Sequence, residues 1–435
     1  MTSIAIVGAG QAGIVLGAGL LREGFDVTLY SDRTPDDYLQ DRGRPTACLW
    51  GDSVVREREL GLNFWDDQAP GIGRIHLDLC LPDPMVAFTI CAPLRKPALA
   101  VDQRLKFSRG MQELAERGAD VVIDHISAPK LEKIAQQHDL VVVTTGQRSL
   151  TELFPRDDAR SVYTEPRRSL FMMNIADYDL SARTEHEDLA FSFMPGVLEM
   201  FWVPFLDKDA GVTRSLVVEA MPGGPADRFG DVKTADEALD ALRGLAKDLL
   251  PWESGFLAPA RPTSPVTWLA GSLVPVVRQA VGVLPSGRPV LGLGDAIVLN
   301  DPLAGQGANN ATRMATFFTH KIVGRGEDFS QDWLTEQFDE FWDYGRHVND
   351  FSNVFLEPLQ PFQQELLLAA SRNDTIAGAV FEGFNDPASF TPWFTDRGQA
   401  RDFLATHGVH KMDVLRYKLG VAKKVLSHKV FGRQV

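Results

Sequence analysis

Ile4-Ala5-Ile6-Val7-Gly8-Ala9-Gly10-Gln11-Ala12-Gly13 is the stretch that decides how the rest of the chain is read. Four apolar residues in a row mark a strand buried on both faces, as in a parallel sheet. The Gly-x-Gly-x-x-Gly that follows allows a tight turn at Gly8, a bare backbone at Gly10 for a pyrophosphate to approach, and close helix–strand packing at Gly13. A helical stretch from Ala12 to Arg22 stops at Gly24, and Asp26-Val27-Thr28-Leu29-Tyr30 reads as a second strand. The hexad alone is a weak signal. Set between a strand and a helix, with a second strand ending about twenty residues on, it reads as a dinucleotide site rather than a structural turn. Ser31-Asp32-Arg33 closes that second strand. Asp32 suits the ribose hydroxyls but lies one residue later than the common placement, so Ser31 is a candidate to share the role. Arg33 reads either as a solvated surface charge or as a partner for adenine or phosphate.

Working outward, Gln103–Arg117 reads as a helix, Asp120–Ile123 as a strand, and Asp139–Gly146 as a buried strand ending on a glycine. Pro289–Gly294 is a further strand, followed by a Gly-rich turn and a helix through Asn309–Val323. Neither end of the chain holds enough strands alone, so these distant segments join one sheet. Between them, residues 45–98 are broken by Pro and Gly into short strand-like pieces such as Ile75–Leu79, and residues 160–222 read as antiparallel strands. Thr234-Ala235-Asp236-Glu237 is a capping box opening a helix to Leu250, and residues 331–435 are helical and aromatic-rich.

The 435 residues carry 58 Asp and Glu against 44 Lys and Arg, a net charge of −14 that repels phosphate backbones and argues against nucleic-acid binding. An apolar content of 44% is that of a folded globular chain. No apolar run approaches the ~18–20 residues of a membrane-spanning helix, and the N-terminus lacks the basic region of a signal peptide. Cys48, Cys80 and Cys91 contain no Cys-x-x-Cys, so no disulfide framework is expected and the picture is a reduced cytoplasm without a membrane partner. The nine histidines show no metal-ligand spacing; no metal is expected, and residues such as His76 and His125 read as structural.

The C-terminal half adds a second motif. Gly292-Leu293-Gly294-Asp295 delivers a carboxylate to the end of a strand, and Asp301-Pro302-Leu303-Ala304-Gly305-Gln306-Gly307-Ala308-Asn309 turns into a helix. The free N–H groups and positive dipole end of that helix suit anionic atoms. An NAD-only domain has no need of this motif, whereas FAD is long enough to reach it across the sheet.

Gly8–Gly13, Gly294-Asp295 and Asp301–Asn309 resemble the fingerprints of the FAD-dependent aromatic hydroxylase superfamily. Together with Tyr30–Tyr38, Ala100–Leu105, Asp139–Gly146 and Phe384-Asn385, they more narrowly resemble the oxygenase component of styrene and indole monooxygenases. The resemblance implies an α/β protein. Its FAD-binding, Rossmann-like domain of aromatic-hydroxylase type would span 1–45, 98–150 and 265–325, its antiparallel-sheet substrate domain 46–97 and 151–264, and its helical region 326–435. It also implies a two-component system, in which reduced FAD from a separate NAD(P)H:flavin reductase and O2 form a C4a-(hydro)peroxyflavin that epoxidises or hydroxylates a small aromatic. Single-component relatives carry Asp-Gly after the central strand; here it ends Thr144-Thr145-Gly146, with Thr in place of the Asp.

By the same resemblance Arg42 approaches the flavin or pyrophosphate and Arg104 sits beside the cofactor, although Arg104 reads about equally as a salt-bridging helix residue. Ile126 falls where backbone passes adenine. The implied substrate pocket comprises Pro45, Thr46, Ala47, Leu49, Ile72, Ile75, Ala98, Phe193, Met200 and Trp202, each of which taken singly reads better as core. Ile72, Ile75 and Ala98 look like the indole type, while Pro45, Ala47 and Leu49 match neither type. No catalytic residue is identified, because the chemistry resides in the cofactor.

The segment Lys411–Val435 holds seven Lys and Arg and one Asp, and reads as a charged surface helix, with docking of an acidic reductase or a homodimer contact as the sharper alternative. Three other readings compete. A self-sufficient NAD(P)H-dependent hydroxylase is the nearest. A flavin-dependent halogenase needs W-x-W-x-I-P, and Phe201-Trp202-Val203-Pro204 lacks the first Trp. A binding module on the same scaffold, as in GDP-dissociation inhibitors, predicts erosion of the Pro302–Asn309 turn, which is intact.

Overall fold

In the computed structural model, which describes residues 2–179 and 188–431, two large sheets carry the fold beside a two-stranded ladder of Val276–Val277 with Val298–Leu299. The smaller has six strands in the order Val281–Val283, Pro289–Gly292, Leu140–Val143, Ser3–Val7, Asp26–Ser31, Asp120–Ile123. All neighbours are parallel except the first pair. Its strands come from both ends of the chain, as the buried apolar runs require. The helices Gln11–Arg22 and Gly307–Arg325 lie side by side over this sheet, and Ile6, Val142, Leu291, Met314 and Phe318 form its core.

The larger sheet has nine strands, built mainly from Gly71–Leu81, Met85–Ala100, Ser169–Ala176, Asp188–Met194, Leu198–Asp207 and Gly211–Ala220. Here the expectation of short pieces over 45–98 is corrected: Gly71–Leu81 and Met85–Ala100 are long paired strands. The prolines that hid this sit at an irregularity, because the register jumps from Ile72↔Ala98 to Arg74↔Pro93 and residues 94–97 bulge outward. The antiparallel reading of 160–222 holds with one exception, Asp188–Met194 running parallel to Gly71–Leu81. Trp268–Ser272 pairs with Ser169–Ala176, so the chain returns to the small sheet later than residue 265.

The two faces of the large sheet have separate cores. Met200, Trp202, Leu216 and Val218 pack under the helix Ala235–Leu249. That helix starts as its sequence predicts, with Thr234 Oγ1 accepting from Glu237 N at 3.2 Å, but the Glu237 carboxylate accepts from Lys233 N rather than closing the box on Thr234. Phe201, Val203 and Phe205 face the other way, against the C-terminal helices through Phe351, Phe384 and Phe390. The last helix, Lys411–Phe431, lies on this body through Val414 and leaves Leu415, Leu419 and Leu426 exposed. Among the described residues no helix is long and apolar enough to cross a membrane.

Candidate cofactor groove and apolar cavity

The three hexad glycines do three different jobs. Gly8 has φ +122°, and a Cβ there would lie 2.8 Å from Thr144 Oγ1, whose hydroxyl donates to Gly8 O at 2.8 Å. A Cβ on Gly13 would lie 2.0 Å from Gly8 O, so helix and strand meet at backbone distance. A Cβ on Gly10 would meet nothing within 4 Å: this glycine faces open space. The helix it starts has no side-chain cap and no acid in its first turn, which leaves the N–H groups of Gln11, Ala12 and Gly13 without intrahelical partners.

The helix Gly307–Arg325 begins in the same way, uncapped and without an acid in its first turn. Gly305 turns the chain into it with φ +59°, a left-handed conformation that favours glycine. Asp295 stands beside this start, its Oδ1 3.9 Å from where a Gly307 Cβ would be. The carboxyl is open to the cleft yet hemmed in by protein, and that crowding pushes its pKa up to about 6. Gly294 has φ +62°, and a Cβ there would press on Ala12 at 3.2 Å, which brings the two motifs together.

Two bare helix N-termini and a carboxylate beside a strand end are the donor and acceptor set that a pyrophosphate, a ribityl chain and an electron-rich flavin edge require. The residues therefore fit FAD. Asp32 is exposed at the end of its strand, while Ser31 Oγ is tied into a local turn with Arg33 N and O. Ile126 is buried, and Gly146 is exposed with nothing near its missing Cβ. Pro302 and Ala308 flank the turn, Pro302 exposed to the cavity described below. Asn309 fastens the turn to the N-terminal half, its side chain accepting from Trp50 N and donating to Cys48 O, both at 2.8 Å.

Several expected contacts belong to the scaffold instead. Gln11 donates to Glu57 and Thr312, and Gln306 is buried with its amide on Ala304 O and Phe384 O and its side-chain oxygen accepting from Arg313. Arg33 is paired with Asp41. Arg42 is exposed and donates to Trp268 O at 3.0 Å. Arg104 is a buried tie: its guanidinium meets Asp102, the cap of its own helix Gln103–Glu116, at 2.6 Å and Asp209, just past the strand Leu198–Asp207 of the large sheet, at 3.2 Å. Of its two sequence readings, salt bridging is what the structure shows.

Between the Pro302–Gly305 turn and the large sheet lies a cavity of about 310 Å³. Pro45 and Thr46 are among its lining residues. The other pocket candidates lie elsewhere. Leu49 pairs with Leu99, Ala47 is only partly buried outside the lining, and Ile72, Ile75 and Ala98 are sealed in the core toward the C-terminal helices. Phe193 faces a separate small cavity of about 30 Å³. Met200 and Trp202 point to the opposite face of the sheet, because side chains alternate along a strand and a one-residue offset exchanges the faces. The residues that do line the wall include Phe201, Val203, Val217 and Glu219, with Trp50 and Phe384 toward the turn. The signal for Phe201 was adjacent: it neighbours both Met200 and Trp202.

This fold and groove are those of an FAD-binding α/β protein. The flavin-dependent brominase Bmp2 superposes with a TM-score of 0.61 at 16% identity, covering 92% of this chain and all of that one. PqsL of Pseudomonas aeruginosa superposes at 0.57 with 14% identity, covering 88% and 99%. In sequence, a family model for the styrene monooxygenase A substrate-binding domain matches residues 146–255. The styrene monooxygenase StyA of a Pseudomonas species is 30% identical over 88% of this chain and 93% of its own length. StyA of Pseudomonas fluorescens is 31% identical over the same shares. The chain belongs to the styrene monooxygenase family, as an FAD-dependent oxygenase component.

Proposed function

We propose that this chain oxygenates a small apolar aromatic of indole or styrene type, by epoxidation or hydroxylation, using O2 and reduced FAD from a separate NAD(P)H:flavin reductase. The observation that carries the reading is the cavity beside the Pro302–Gly305 turn, walled by Phe201, Val203, Val217 and Trp50 and therefore suited to an uncharged ring. Reduced FAD supplies the activation of O2. The protein's part is positional. The N–H groups of Gln11–Gly13 and Gly307–Asn309 would hold negative charge at two helix starts, and Asp295 would accept a hydrogen bond from a cofactor hydroxyl. The apolar wall orients the guest and keeps water from it.

A separate reductase is supported by the end of the central strand. Thr145 stands at the place where single-component relatives have their acid, and its hydroxyl accepts from Gln147 N at 3.2 Å. The test compares NAD(P)H oxidation and product formation by the purified chain alone and with an added flavin reductase. The proposal expects neither alone and both together. Steady NAD(P)H consumption coupled to product by the chain alone would establish a self-sufficient hydroxylase instead.

A further inference from the structure

The cavity beside the Pro302–Gly305 turn has a neighbour. The void of about 30 Å³ that Phe193 faces is lined also by Leu77, Phe191, Phe355 and Val380, between the large sheet and the C-terminal helices. Three side chains border both spaces: Phe201, Leu303 and Phe384. They are the partition. Protein interiors are close-packed and apolar voids stay dry, so the smaller space is room that an apolar group could fill. Glu199, the polar member of its lining, has both oxygens on the Arg168 guanidinium at 2.9 and 3.0 Å and needs no partner from an occupant.

The three members of the partition are held differently. Phe201 is stacked on Phe191 with ring centroids 4.9 Å apart, and Leu303 belongs to the turn beside the cofactor groove. Phe384 comes from outside both sheets, at the end of the helix Asp374–Asn385, and its ring lies 4.9 Å from Trp50 and 5.2 Å from Phe351. Its backbone is pinned from two sides. Phe384 O accepts from Gln306 Nε2 at 2.9 Å, Asn385 O accepts from the Arg313 guanidinium, and Asn385 Oδ1 accepts from Asp52 N at 2.8 Å. Trp50 is fixed in turn through its N–H on Asn309 at 2.8 Å. A wall tied in this way does not swing aside for a longer guest, and its neighbours cannot readily collapse into the space its ring would vacate. We propose that Phe384 is a specificity-determining residue of the cavity: it limits how far a guest extends toward the smaller void, so that the site favours compact aromatics over those carrying a second, linked ring. The proposal deepens the oxygenase reading and rests on it for the role of the cavity, but its test reads binding.

Indole and 2-phenylindole share a ring system and differ by one linked phenyl group. Equilibrium dialysis of both against the protein in saturating FAD gives their relative affinities. The parent should bind 2-phenylindole no tighter than indole, despite its larger apolar surface. Phe384→Ala opens the partition and should tighten 2-phenylindole by about tenfold or more while weakening indole. Phe384→Leu serves, with a smaller effect in the same direction, if the alanine variant does not fold. Val203 lines the larger cavity and not the void, so Val203→Ala should leave the ratio near that of the parent. A parent that binds 2-phenylindole much more tightly than indole, a ratio unmoved by Phe384→Ala, or a ratio moved equally by Val203→Ala overturns the proposal. Turnover of indole with supplied reduced FAD is read separately. Oxygenated product with a ratio indifferent to Phe384→Ala refutes this proposal alone. A Phe384-dependent ratio without product refutes the oxygenase reading and leaves the partition standing.

Discussion

Two glycines three residues apart respond oppositely to the same added methyl group. At Gly13 an alanine Cβ would stand 2.0 Å from Gly8 O and 2.9 Å from Thr144 Oγ1. The first contact is backbone, so the helix Gln11–Arg22 must lift from the sheet. Overpacking of this kind costs about 1–3 kcal/mol or more. At Gly10 the added Cβ meets nothing within 4 Å, and φ −85° with ψ −170° is open to alanine. The entropy removed from the unfolded chain and the slight loss of a favoured helix-start residue nearly offset, leaving stability within about 1 kcal/mol of the parent. What Gly10→Ala blocks is the approach of a pyrophosphate to the bare helix start. Losing one charge-assisted hydrogen bond there weakens binding by about 10- to 150-fold. Thermal unfolding of the flavin-free protein and FAD titration by flavin fluorescence separate the two effects. Gly13→Ala should melt several degrees lower. Gly10→Ala should melt with the parent and bind FAD poorly. A Gly10→Ala protein that melts like Gly13→Ala, or that binds FAD like the parent, refutes the division of labour within the hexad.

Three further outcomes follow from the geometry. Asp295 has a folded pKa raised from its ordinary value to about 6, so its contribution is complete below about pH 4 and is lost as pH rises through 6. Asp295→Asn should therefore gain stability over the parent between pH 5 and 8, by about 1 kcal/mol after screening by cleft water, while binding FAD more weakly; a pH-independent difference in Tm would contradict this. Trp202→Ala should cost about 3–5 kcal/mol of stability, whereas Phe201→Ala should raise KM by about tenfold through lost cavity contact, and the opposite pattern in unfolding and steady-state assays would reverse the assigned faces. Arg104→Met should cost about 3–5 kcal/mol by stranding Asp102, yet leave FAD affinity of the folded fraction unchanged in the same titration, unlike a cofactor-contacting arginine.

The cofactor motifs were legible because their signals are local. Gly8, Gly10 and Gly13 act within one turn, the apolar runs around them tell of burial on both faces, and Thr234 caps its own helix. The cavity wall was not legible, because it depends on register between segments far apart in sequence. Phe201 and Trp202 are equally apolar neighbours, and only pairing with Phe191 and Leu216 settles which of them faces the cavity. Bulging likewise concealed the long strands Gly71–Leu81 and Met85–Ala100 behind their prolines. Arg104 looked equally suited to cofactor and salt bridge until Asp209, 105 residues later, was placed against it.

The central claim, oxygen transfer by this chain from reduced FAD supplied ready-made, is tested most directly in a single turnover without any pyridine nucleotide. FAD reduced chemically under anaerobic conditions is mixed with the purified protein and then with 18O2 and indole or styrene, and the product is analysed by mass spectrometry. The account predicts oxygenated product carrying one 18O atom, formed only when the protein is present. Unchanged substrate, or product that forms only once NAD(P)H is added, would contradict it.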